Sequence, residues 1–353
     1  MTTFQPIEPM LVAESGADEN KFGKIVKKHG GKTFAEIKYD GYRMQVHKSD
    51  RIYLFTSGLN ELNPALFPDL DKQFRTLPNG IFDSELVGFG TNREQYEAVQ
   101  NRMGSKLEKD LVKKYPLQLR FFDVMQIGDK PVLDIPLYER RKILEAKVGN
   151  LSEQEVIDEG DELKQKFNTA VNNKLEGLVC KNPESAYSPG ARNQDWIKLK
   201  NFTTLDLVVL GIYKGEGKTA DWPFAALLLG TRNNQNYETL VKIGMANKNV
   251  VDDLYGIILR GLSKNVPKNV ILSPQLAKKS YARKIPYQYV YPEKSSVIEV
   301  KALNISKSDN WSSCGLKDGE AYSLRIASFN RIRYDKKISQ ATTTAQIADI
   351  YGS

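Results

Sequence analysis

A lysine lies between two strand-like segments near the start of the chain, in the run Glu36-Ile37-Lys38-Tyr39-Asp40-Gly41-Tyr42-Arg43. A lysine becomes a nucleophile only after its ammonium group has lost a proton, and burial together with neighbouring positive charge favours that loss. The four residues 38–41 alone are equally consistent with a surface β-turn that carries a solvated lysine. The chemistry of Lys38 therefore depends on what the later segments add to it.

Four later segments combine a strand pattern with carboxylates, lysines or aromatic rings. They are residues 82–87 with Glu85, residues 121–123 with Phe122, residues 176–181 with Glu176 and Lys181, and residues 196–200 with Lys198 and Lys200. The last two lysines share one face of a strand, because they are two positions apart. Each segment alone is also typical of a structural ion pair or a solvated strand face. Together they offer a nucleophile, carboxylates for a divalent metal, cations for phosphates and an aromatic surface for a base.

Alternating strand and helix patterns would position these segments. Strand patterns occur at residues 33–37, 42–47, 51–56, 119–125, 177–181 and 196–200, and helical spacing at residues 93–114, 138–148 and 153–171. After residue 204 the pattern changes to short strands at residues 205–213, 224–229, 239–243, 297–300 and 322–326. Such a series predicts a small Greek-key barrel, for which an OB-fold is the natural candidate. The tail after Lys337 predicts a final helix.

Charge is distributed unevenly along the chain. The net charge of +8 lies entirely beyond residue 205, because residues 1–205 carry 30 basic and 30 acidic side chains and the remainder carries 21 and 13. A dense basic stretch contains Lys278, Lys279, Arg283 and Lys284. The imbalance is typical of a polyanion-binding module attached to a neutral one, although a solvated lysine face has the same composition.

Composition excludes several classes of protein. The two cysteines, Cys180 and Cys314, cannot build a disulfide framework or a four-cysteine zinc site. The start of the chain lacks a basic region followed by an apolar one, and no apolar run is long enough to span a bilayer. We therefore expect a cytoplasmic protein without a membrane partner.

The ordered segments resemble motifs I, III, IIIa, IV and V of the covalent nucleotidyltransferases, and in particular those of ATP-dependent DNA ligases. The likeness extends to residues 136–144, 185–190, 206–217 and 297–308, and residues 323–336 look like motif VI. It covers residues 9–351 and is closest in kind to the compact two-domain ligases. The resemblance implies an α+β fold, in which a nucleotidyltransferase adenylation domain with an ATP-grasp-like mixed sheet (1–203) precedes an OB-fold β-barrel domain with a C-terminal helix (204–353).

The resemblance also implies a nucleotide-binding set in the first domain, namely Glu36, Ile37, Lys38, Arg43, Glu85, Phe122, Glu176, Lys181, Lys198 and Lys200. Lys38 would attack the α-phosphorus of ATP and carry AMP as a phosphoramidate, while Asp40 would order the site. Glu36 resembles the residue that reads the adenine amino group, and Phe122 the ring that stacks on the base. Arg43 and Glu85 would lie near the ribose and phosphate.

The remaining members of the set would handle the phosphates and the metal. Glu85 and Glu176 would hold a catalytic Mg²⁺. The α-phosphate would be steadied by Lys181, Lys198 and Lys200, of which the last two count as catalytic. The leaving pyrophosphate would be aligned by four residues of the second domain: Arg331, Arg333, Asp335 and Lys336.

The chain departs from the ligase pattern at two places. These ligases usually carry an arginine that contacts the phosphate of the nick where this chain has Ser57, and motif VI normally begins Arg-Phe-Pro-Arg where residues 325–328 read Arg-Ile-Ala-Ser, with Ala327 and Ser328 in the last positions. Both departures remove a cation near the nick or the nucleotide. We expect weakened contacts, unless a nearby cation such as Lys48 or Arg51 replaces the arginine.

The function that this resemblance implies is ATP-dependent sealing of 5′-phosphate/3′-hydroxyl nicks in duplex DNA by a monomer that uses Mg²⁺. An RNA ligase or an RNA-capping nucleotidyltransferase shares the lysine chemistry, but Glu36 and residues 297–308 weigh against capping. An NAD-dependent ligase would need a cysteine-rich zinc module. A non-catalytic nucleic-acid-binding protein with an inactive fold is the alternative of another class, and it requires that Lys38 bind no AMP.

Overall fold

The computed structural model describes residues 5–15, 20–103, 109–277, 285–308 and 312–352. The chain divides into two compact units, Met1–Asn201 and Phe202–Ser353. The dense basic stretch that contains Lys278, Lys279, Arg283 and Lys284 lies outside the described residues. In the part of the chain that is described, no helix is both long and apolar enough to cross a membrane.

Unit 1 combines strands and helices in alternation. Its strands are β1 (Leu11–Glu14), β2 (Thr33–Ile37), β3 (Tyr42–Lys48), β4 (Ile52–Thr56), β5 (Glu61–Leu62), β6 (Gly80–Val87), β7 (Gln118–Ile127), β8 (Lys130–Pro131), β9 (Gln154–Ile157), β10 (Gly177–Lys181) and β11 (Arg192–Lys200). Its helices are α1 (Lys21–Lys28), α2 (Asp71–Thr76), α3 (Asn92–Met103), α4 (Lys109–Lys114), α5 (Leu137–Lys147) and α6 (Gly160–Asn172), with 3₁₀ turns at Pro64–Leu66 and Pro68–Leu70.

The first sheet of unit 1 is mixed, with the order β1-β11-β10-β2-β9. The pair β1–β11 is parallel and the other neighbours are antiparallel. One face packs on α1 and α6, where Ala35, Leu178 and Leu199 join the buried faces of both helices. Because side chains alternate along a strand, Glu36, Lys181 and the lysines of β11 project from the opposite face.

The second sheet is antiparallel, with the order β5-β4-β3-β6-β7-β8. Met44, Val46, Phe82 and Leu86 lie in the core that covers one of its faces. The opposite face is polar at one end, since Arg43 pairs in register with Glu85, and Glu85 with Arg120. A smaller apolar cluster that includes Met10, Ile81, Tyr187 and Trp196 draws residues from both sheets.

A buried ion pair connects β7 to α5. Arg140 of α5 donates from Nε and Nη2 to Asp123 of β7 at 2.7 and 2.9 Å, and both side chains are 0% exposed. Arg140 also donates to the carbonyls of Ile135 and Ser185. The helix, the strand and the segment that leads to Tyr187 are therefore held together by one guanidinium group.

Unit 2 consists mainly of strands. They are β12 (Thr203–Tyr213), β13 (Ala226–Asn233), β14 (Asn236–Gly244), β15 (Leu262–Ser263), β16 (Val270–Ile271), β17 (Gln288–Val290), β18 (Val297–Ala302), β19 (Asn304–Ser308), β20 (Ala321–Arg325) and β21 (Ser328–Ile332). The helices are α7 (Lys248–Ile258), α8 (Pro274–Ala277) and α9 (Thr344–Gly352), with 3₁₀ turns at Gly217–Thr219, Leu259–Gly261, Pro292–Lys294 and Ile338–Gln340.

The long strand β12 organises unit 2. Its residues 203–208 pair with β18, residues 211 and 212 pair with β17, and residues 208–213 pair with β13. The β12–β13 pairing contains a register shift between Val209 and Gly211. Leu205, Leu207 and Val209 point into a core that also receives Leu254 of α7 and other buried residues. Each strand predicted after residue 204 overlaps an observed one, and the predicted final helix is confirmed as α9.

The prediction of one helix over residues 153–171 is wrong at its start. Residues Gln154–Ile157 form β9, which pairs antiparallel with β2, and α6 begins only at Gly160. Val156 and Ile157 are β-branched and favour a strand, and the edge of the first sheet offers them backbone partners. The predicted helix over residues 93–114 corresponds to α3 and α4, with residues 104–108 outside the described residues.

We expect the substitution Arg140→Met to lower the free energy of unfolding by about 3–5 kcal/mol, because it leaves the buried Asp123 carboxylate without its partner. The matched control is Arg75→Met, which removes an exposed i,i+4 pair with Asp71 and should cost less than about 1 kcal/mol. Urea denaturation of both full-length variants, followed by circular dichroism, measures the difference. Similar losses in the two variants would contradict the role given to Arg140.

Candidate active site

The side chain of Lys38 lies beside a carboxylate that it shares with a second lysine. Lys38 Nζ is 2.7 Å from Glu176 Oε2, and Lys200 Nζ is 3.1 Å from Glu176 Oε1. The Glu176 side chain is 3% exposed and that of Lys200 is 8% exposed, whereas Lys38 retains 21%. Two cations therefore share one buried carboxylate, and the more accessible of them is the predicted nucleophile.

Backbone contacts at Gly177 bring these three side chains together. The backbone N–H of Lys38 donates to the Gly177 carbonyl at 3.0 Å, and Gly177 faces Lys200 in the β10–β11 register. Gly177 has a φ of 143°, and a Cβ at this position would lie 2.0 Å from the carbonyl oxygen of Leu199. Glycine is needed here because β10 approaches β11 too closely for any side chain.

A second close approach positions Glu85. A Cβ on Gly41 would lie 2.4 Å from the Leu86 carbonyl oxygen and 2.7 Å from Glu85 Cγ, so the turn after Lys38 packs directly on β6. Burial raises the pKa of Glu85 to about 7, although the positive charges of Lys38 and Arg43 oppose the shift. Desolvation therefore outweighs the two neighbouring cations at this carboxyl group.

Beside this cluster, Glu36 lies between an amide and a buried lysine. Gln154 Nε2 donates to Glu36 Oε1 at 2.8 Å, and Lys181 Nζ is 2.8 Å from Glu36 Oε2. Lys181 Nζ also lies 4.3 Å from the centre of the Phe122 ring and 4.5 Å from that of Trp196. A carboxylate, a lysine and two aromatic rings thus form a polar and aromatic group next to the nucleophile.

Arg43 is fixed by a bidentate ion pair. Its Nε and Nη2 donate to Asp83 Oδ1 and Oδ2 at 3.0 and 2.6 Å, and its Nη1 donates to the Met10 carbonyl at 2.6 Å. Tyr187 donates its hydroxyl proton to the same Asp83 carboxylate at 2.8 Å. The Arg43 guanidinium carbon lies 5.5 Å from the centre of the Phe122 ring. These contacts hold Arg43 against the ring that is predicted to stack on the base.

Three other residues of the predicted set are placed differently. Lys198 pairs with the exposed Glu14 at 2.7 Å, and Asp40 is buried in the turn after β2. The side chain of Ile37 packs against the core formed with α1 and α6, so only its backbone faces the predicted nucleotide site. Ile37 projects from the opposite face of β2 because it is adjacent to Glu36 in the strand.

The four predicted pyrophosphate-binding residues belong to unit 2. Arg331 lies on β21, while Arg333, Asp335 and Lys336 follow that strand. The turn before β21 carries Ile326, which is 58% exposed and has a φ of 48°. A β-branched residue at positive φ is strained, so the altered start of motif VI coincides with an unusual backbone.

Ser57, at the place of the missing arginine, is exposed in the turn after β4. Lys48 and Arg51 lie at the other end of the β3–β4 hairpin, where Lys48 pairs with Ile52. Thr56 pairs instead with Met44, four residues away along β3. At about 3.3 Å per residue the two ends of the hairpin are roughly 13 Å apart.

The described residues around Lys38 fit a nucleoside triphosphate with a divalent cation. Trp196 Nε1 is buried and makes no hydrogen bond within the described part of the structure, so it is available to a polar ligand, whereas the buried Lys181 Nζ is held in its ion pair with Glu36. Those residues contain no cluster of three or more metal-ligating side chains. Mg²⁺ is commonly bound by one or two carboxylates together with the phosphates of a substrate. Glu85 and Glu176 can supply the carboxylates.

Sequence reasoning missed two features of this site. Gln154 was hidden because its segment was predicted to be helical, although the Val156-Ile157 pair followed by Asp158, Glu159 and Gly160 is a strand-and-break signal. The bond between Asp83 and Arg43 joins residues on different strands, and no spacing within one segment indicates it. The structure brings Lys38, Glu176 and Lys200 together, and the sequence did not indicate that the two lysines share one carboxylate.

We expect Gly177→Ala to lower the free energy of unfolding by about 2–4 kcal/mol, because the added methyl group collides with the Leu199 carbonyl and the φ value is unfavourable. Gly149→Ala is the matched control in the same unit, since a Cβ at Gly149 meets nothing within 4 Å. Thermal unfolding of the two variants provides the comparison. Equal stability of Gly177→Ala and the wild type would contradict the close approach of β10 and β11.

Relatives of the chain carry ligase names. DNA ligase 1 of Methanosarcina acetivorans is 29% identical over 98% of this chain and 62% of its own length. The probable DNA ligase of Persephonella marina is 31% identical over 98% of this chain and 61% of its own length. The chain therefore spans about three fifths of the length of these curated relatives.

Solved structures with similar folds include Pmar-Lig_PreS3, with a TM-score of 0.59 and 18% identity over 93% of this chain and 68% of that one. A structure of Lig E DNA ligases gives a TM-score of 0.56 and 18% identity over 93% of this chain and 100% of that one. These likenesses confirm the fold class, α+β with a nucleotidyltransferase unit and an OB-fold. A family model described as the ATP dependent DNA ligase domain matches residues 9–200, more than half of the chain. The chain belongs to the ATP-dependent DNA ligase family.

Proposed function

We propose that this chain is an ATP-dependent DNA ligase that seals 5′-phosphate/3′-hydroxyl nicks in duplex DNA through AMP carried on Lys38. The observation that supports this most directly is the Glu176 carboxylate shared between Lys38 and Lys200. An accessible amine beside a buried carboxylate and a second cation suits attack on a phosphate. A cytoplasmic location and a monomeric state stay predictions from the sequence.

In the first step, the Lys38 amine attacks the α-phosphorus of ATP. The new bond joins Nζ to phosphorus, the bond from that phosphorus to the bridging oxygen of the β-phosphate breaks, and Nζ gives up a proton. When Lys38 becomes uncharged, Lys200 still pairs with Glu176. The buried carboxylate is therefore never left without a cation, which would be costly at 3% exposure.

Cations around the α-phosphate would offset its developing charge. Lys200 is fixed by Glu176 and Lys181 by Glu36, so both ammonium groups are oriented before the substrate arrives. Lys198 pairs with the exposed carboxylate of Glu14, a contact that a phosphate can displace at small cost. We assign Lys181, Lys198 and Lys200 to the phosphates on this basis.

Glu85 and Glu176 would hold a Mg²⁺ ion, which when bound supplies positive charge to the phosphates. Burial raises the pKa of Glu85, so its carboxyl group gives up a proton less readily than that of an exposed glutamate. The Asp40–Gly41 turn packs on β6 and keeps Glu85 beside Lys38. The turn thus sets the distance between Lys38, the proposed nucleophile, and Glu85, the proposed metal ligand.

Recognition of the base is assigned to Glu36, Gln154 and Phe122. The Glu36 carboxylate accepts a hydrogen bond from Gln154 and retains lone pairs that can accept one from an adenine amino group. Phe122 offers a ring face that Arg43 and Lys181 flank. Because Arg43 is committed to Asp83, we give it the role of positioning this ring and not that of binding phosphate.

The later steps pass AMP to the 5′-phosphate of a nick, after which the 3′-hydroxyl attacks that phosphate and AMP leaves. Arg331, Arg333 and Lys336 are useful only in the first step, because pyrophosphate is present only then. The excess positive charge beyond residue 205 supports an additional role of unit 2 in holding the DNA backbone.

We expect Lys38→Ala to abolish transfer of label from α-labelled ATP to the chain, because no other amine replaces its Nζ. Sealing of nicks that already carry AMP should survive in part. The matched control is Lys32→Ala, an exposed lysine just before β2, which should label like the wild type. Denaturing electrophoresis after incubation with Mg²⁺ measures the label. Undiminished labelling of Lys38→Ala would end the proposed mechanism.

We expect Ser57→Arg to speed the sealing of pre-adenylated nicks by about twofold to tenfold, since it restores a charge-assisted contact at a partly solvated phosphate. The adenylation rate of Lys38 should stay nearly unchanged, because ATP is held by other lysines. Ser57→Gln is the control, since it adds length without charge. Single-turnover sealing measures the effect, and equal rates for the Arg and Gln variants would show that the missing charge is not limiting.

A further inference from the structure

The side chains of motif VI form an ion-pair cluster with two carboxylates of neighbouring strands in unit 2. Asp206 on β12 faces Glu299 on β18, and Glu299 faces Arg331 on β21, as successive cross-strand partners. Cross-strand partners project from the same face of a sheet, so these side chains form one row. The sheet thus places two carboxylates beside the cations assigned to pyrophosphate.

Arg333 is enclosed by this cluster. Its Nε and Nη2 donate to Asp335 at 2.9 and 2.7 Å, and its Nη1 donates to Asp206 Oδ1 at 2.8 Å and to Glu299 Oε2 at 3.1 Å. The Arg333 side chain is only 11% exposed. Among the described residues, three carboxylates therefore contact this one guanidinium group.

Asp206 connects Arg333 to Lys336. Its Oδ1 accepts from Arg333 at 2.8 Å, and its Oδ2 accepts from Lys336 Nζ at 2.5 Å. The backbone of Asp206 is fixed by Thr342, which donates its N–H to the Asp206 carbonyl and accepts a hydrogen bond at its hydroxyl oxygen. One anchored carboxylate thus spans two cations in the way that two oxygens of a phosphate group would.

We propose that Asp206 competes with pyrophosphate for Arg333 and Lys336 and takes its place as the leaving group departs. The inference rests on the proposed function for the identity of the anion. Without the Asp206 carboxylate, departure of pyrophosphate would cost Lys336 the carboxylate it contacts here and would leave Arg333 with only Asp335 and Glu299, so the anion would be held more tightly. Asp206 is therefore a positioning residue that weakens product binding and favours the forward direction of adenylation.

The opposite role would be that Asp206 only orients Arg333 and Lys336 toward the anion. The two roles predict opposite effects of one substitution. Asp206→Asn keeps the size of the side chain and removes its charge, so competition predicts tighter binding of pyrophosphate and orientation predicts weaker binding.

The first test is calorimetric titration of the full chain with inorganic pyrophosphate. We expect Asp206→Asn to lower the dissociation constant by about two- to fivefold, and Asp206→Glu, which keeps the charge, to stay near the wild-type value. The control Asp318→Asn makes the same charge change in an exposed turn at a positive φ that asparagine tolerates, and should have no effect. Equal or weaker binding by a folded Asp206→Asn variant overturns the proposal.

A second variant keeps the test decisive if Asp206→Asn does not fold. Glu299→Gln removes the carboxylate that contacts Arg331 and Arg333, and it should tighten pyrophosphate binding in the same direction. Unchanged or weaker binding by Glu299→Gln would then count against competition.

The second readout is reversal of adenylation on chain that carries labelled AMP. An oxygen of pyrophosphate attacks the α-phosphorus, the bond from phosphorus to Lys38 Nζ breaks, the amine takes up a proton, and ATP is released. Competition predicts a lower KM for pyrophosphate in Asp206→Asn with little change in kcat, whereas a higher KM contradicts it. A chain that forms no adenylate at all would refute the proposed function, and the pyrophosphate titration would still decide the role of Asp206.

Discussion

The close packing of β10 between β2 and β11 is the constraint on which the candidate active site depends. On one side, the Gly177 carbonyl accepts a hydrogen bond from the backbone N–H of Lys38. On the other side, the Leu199 carbonyl lies so close that Gly177 has no room for a Cβ. Glu176, the preceding residue, is therefore held between Lys38 and Lys200 by backbone contacts. The sheet thus fixes the backbone positions of Lys38, Glu176 and Lys200 relative to one another before a substrate binds.

Buried charges in unit 1 are paired in a way that favours precise geometry over stability. Arg43 with Asp83, Arg140 with Asp123 and Lys181 with Glu36 each join residues from different strands or helices. Desolvation of such pairs offsets much of their attraction, so apolar replacements could be as stable. The pairs fix the orientation of the side chains, because a carboxylate that binds an arginine through both oxygens holds the guanidinium group in one orientation. The polar faces of the two sheets are consequently fixed before any ligand arrives.

The sequence could place residues on or next to single strands, but it could not show the contacts between strands. The order of the motifs selected Lys38, Glu176 and Lys200, and the structure brings these three side chains together at the ends of β2, β10 and β11. The sequence failed for Gln154, whose edge strand has four residues, two of them exposed, and is stabilised mainly by pairing with β2. The orientation of Ile37 followed from strand period and could have been predicted. The partners of Arg43 and Arg333 could not, since tertiary structure alone brings Asp83 and Asp206 to them.

The contact between Lys181 and Trp196 has a spectroscopic consequence. The ammonium group lies 4.5 Å from the centre of a tryptophan ring that is 1% exposed, and a charge at that distance changes the energy of an excited indole. Any ligand that draws Lys181 away from the ring will therefore shift the emission of Trp196. Of the three tryptophans in the sequence, Trp196 alone precedes residue 202, so it gives the candidate site in unit 1 an intrinsic optical reporter of its occupancy.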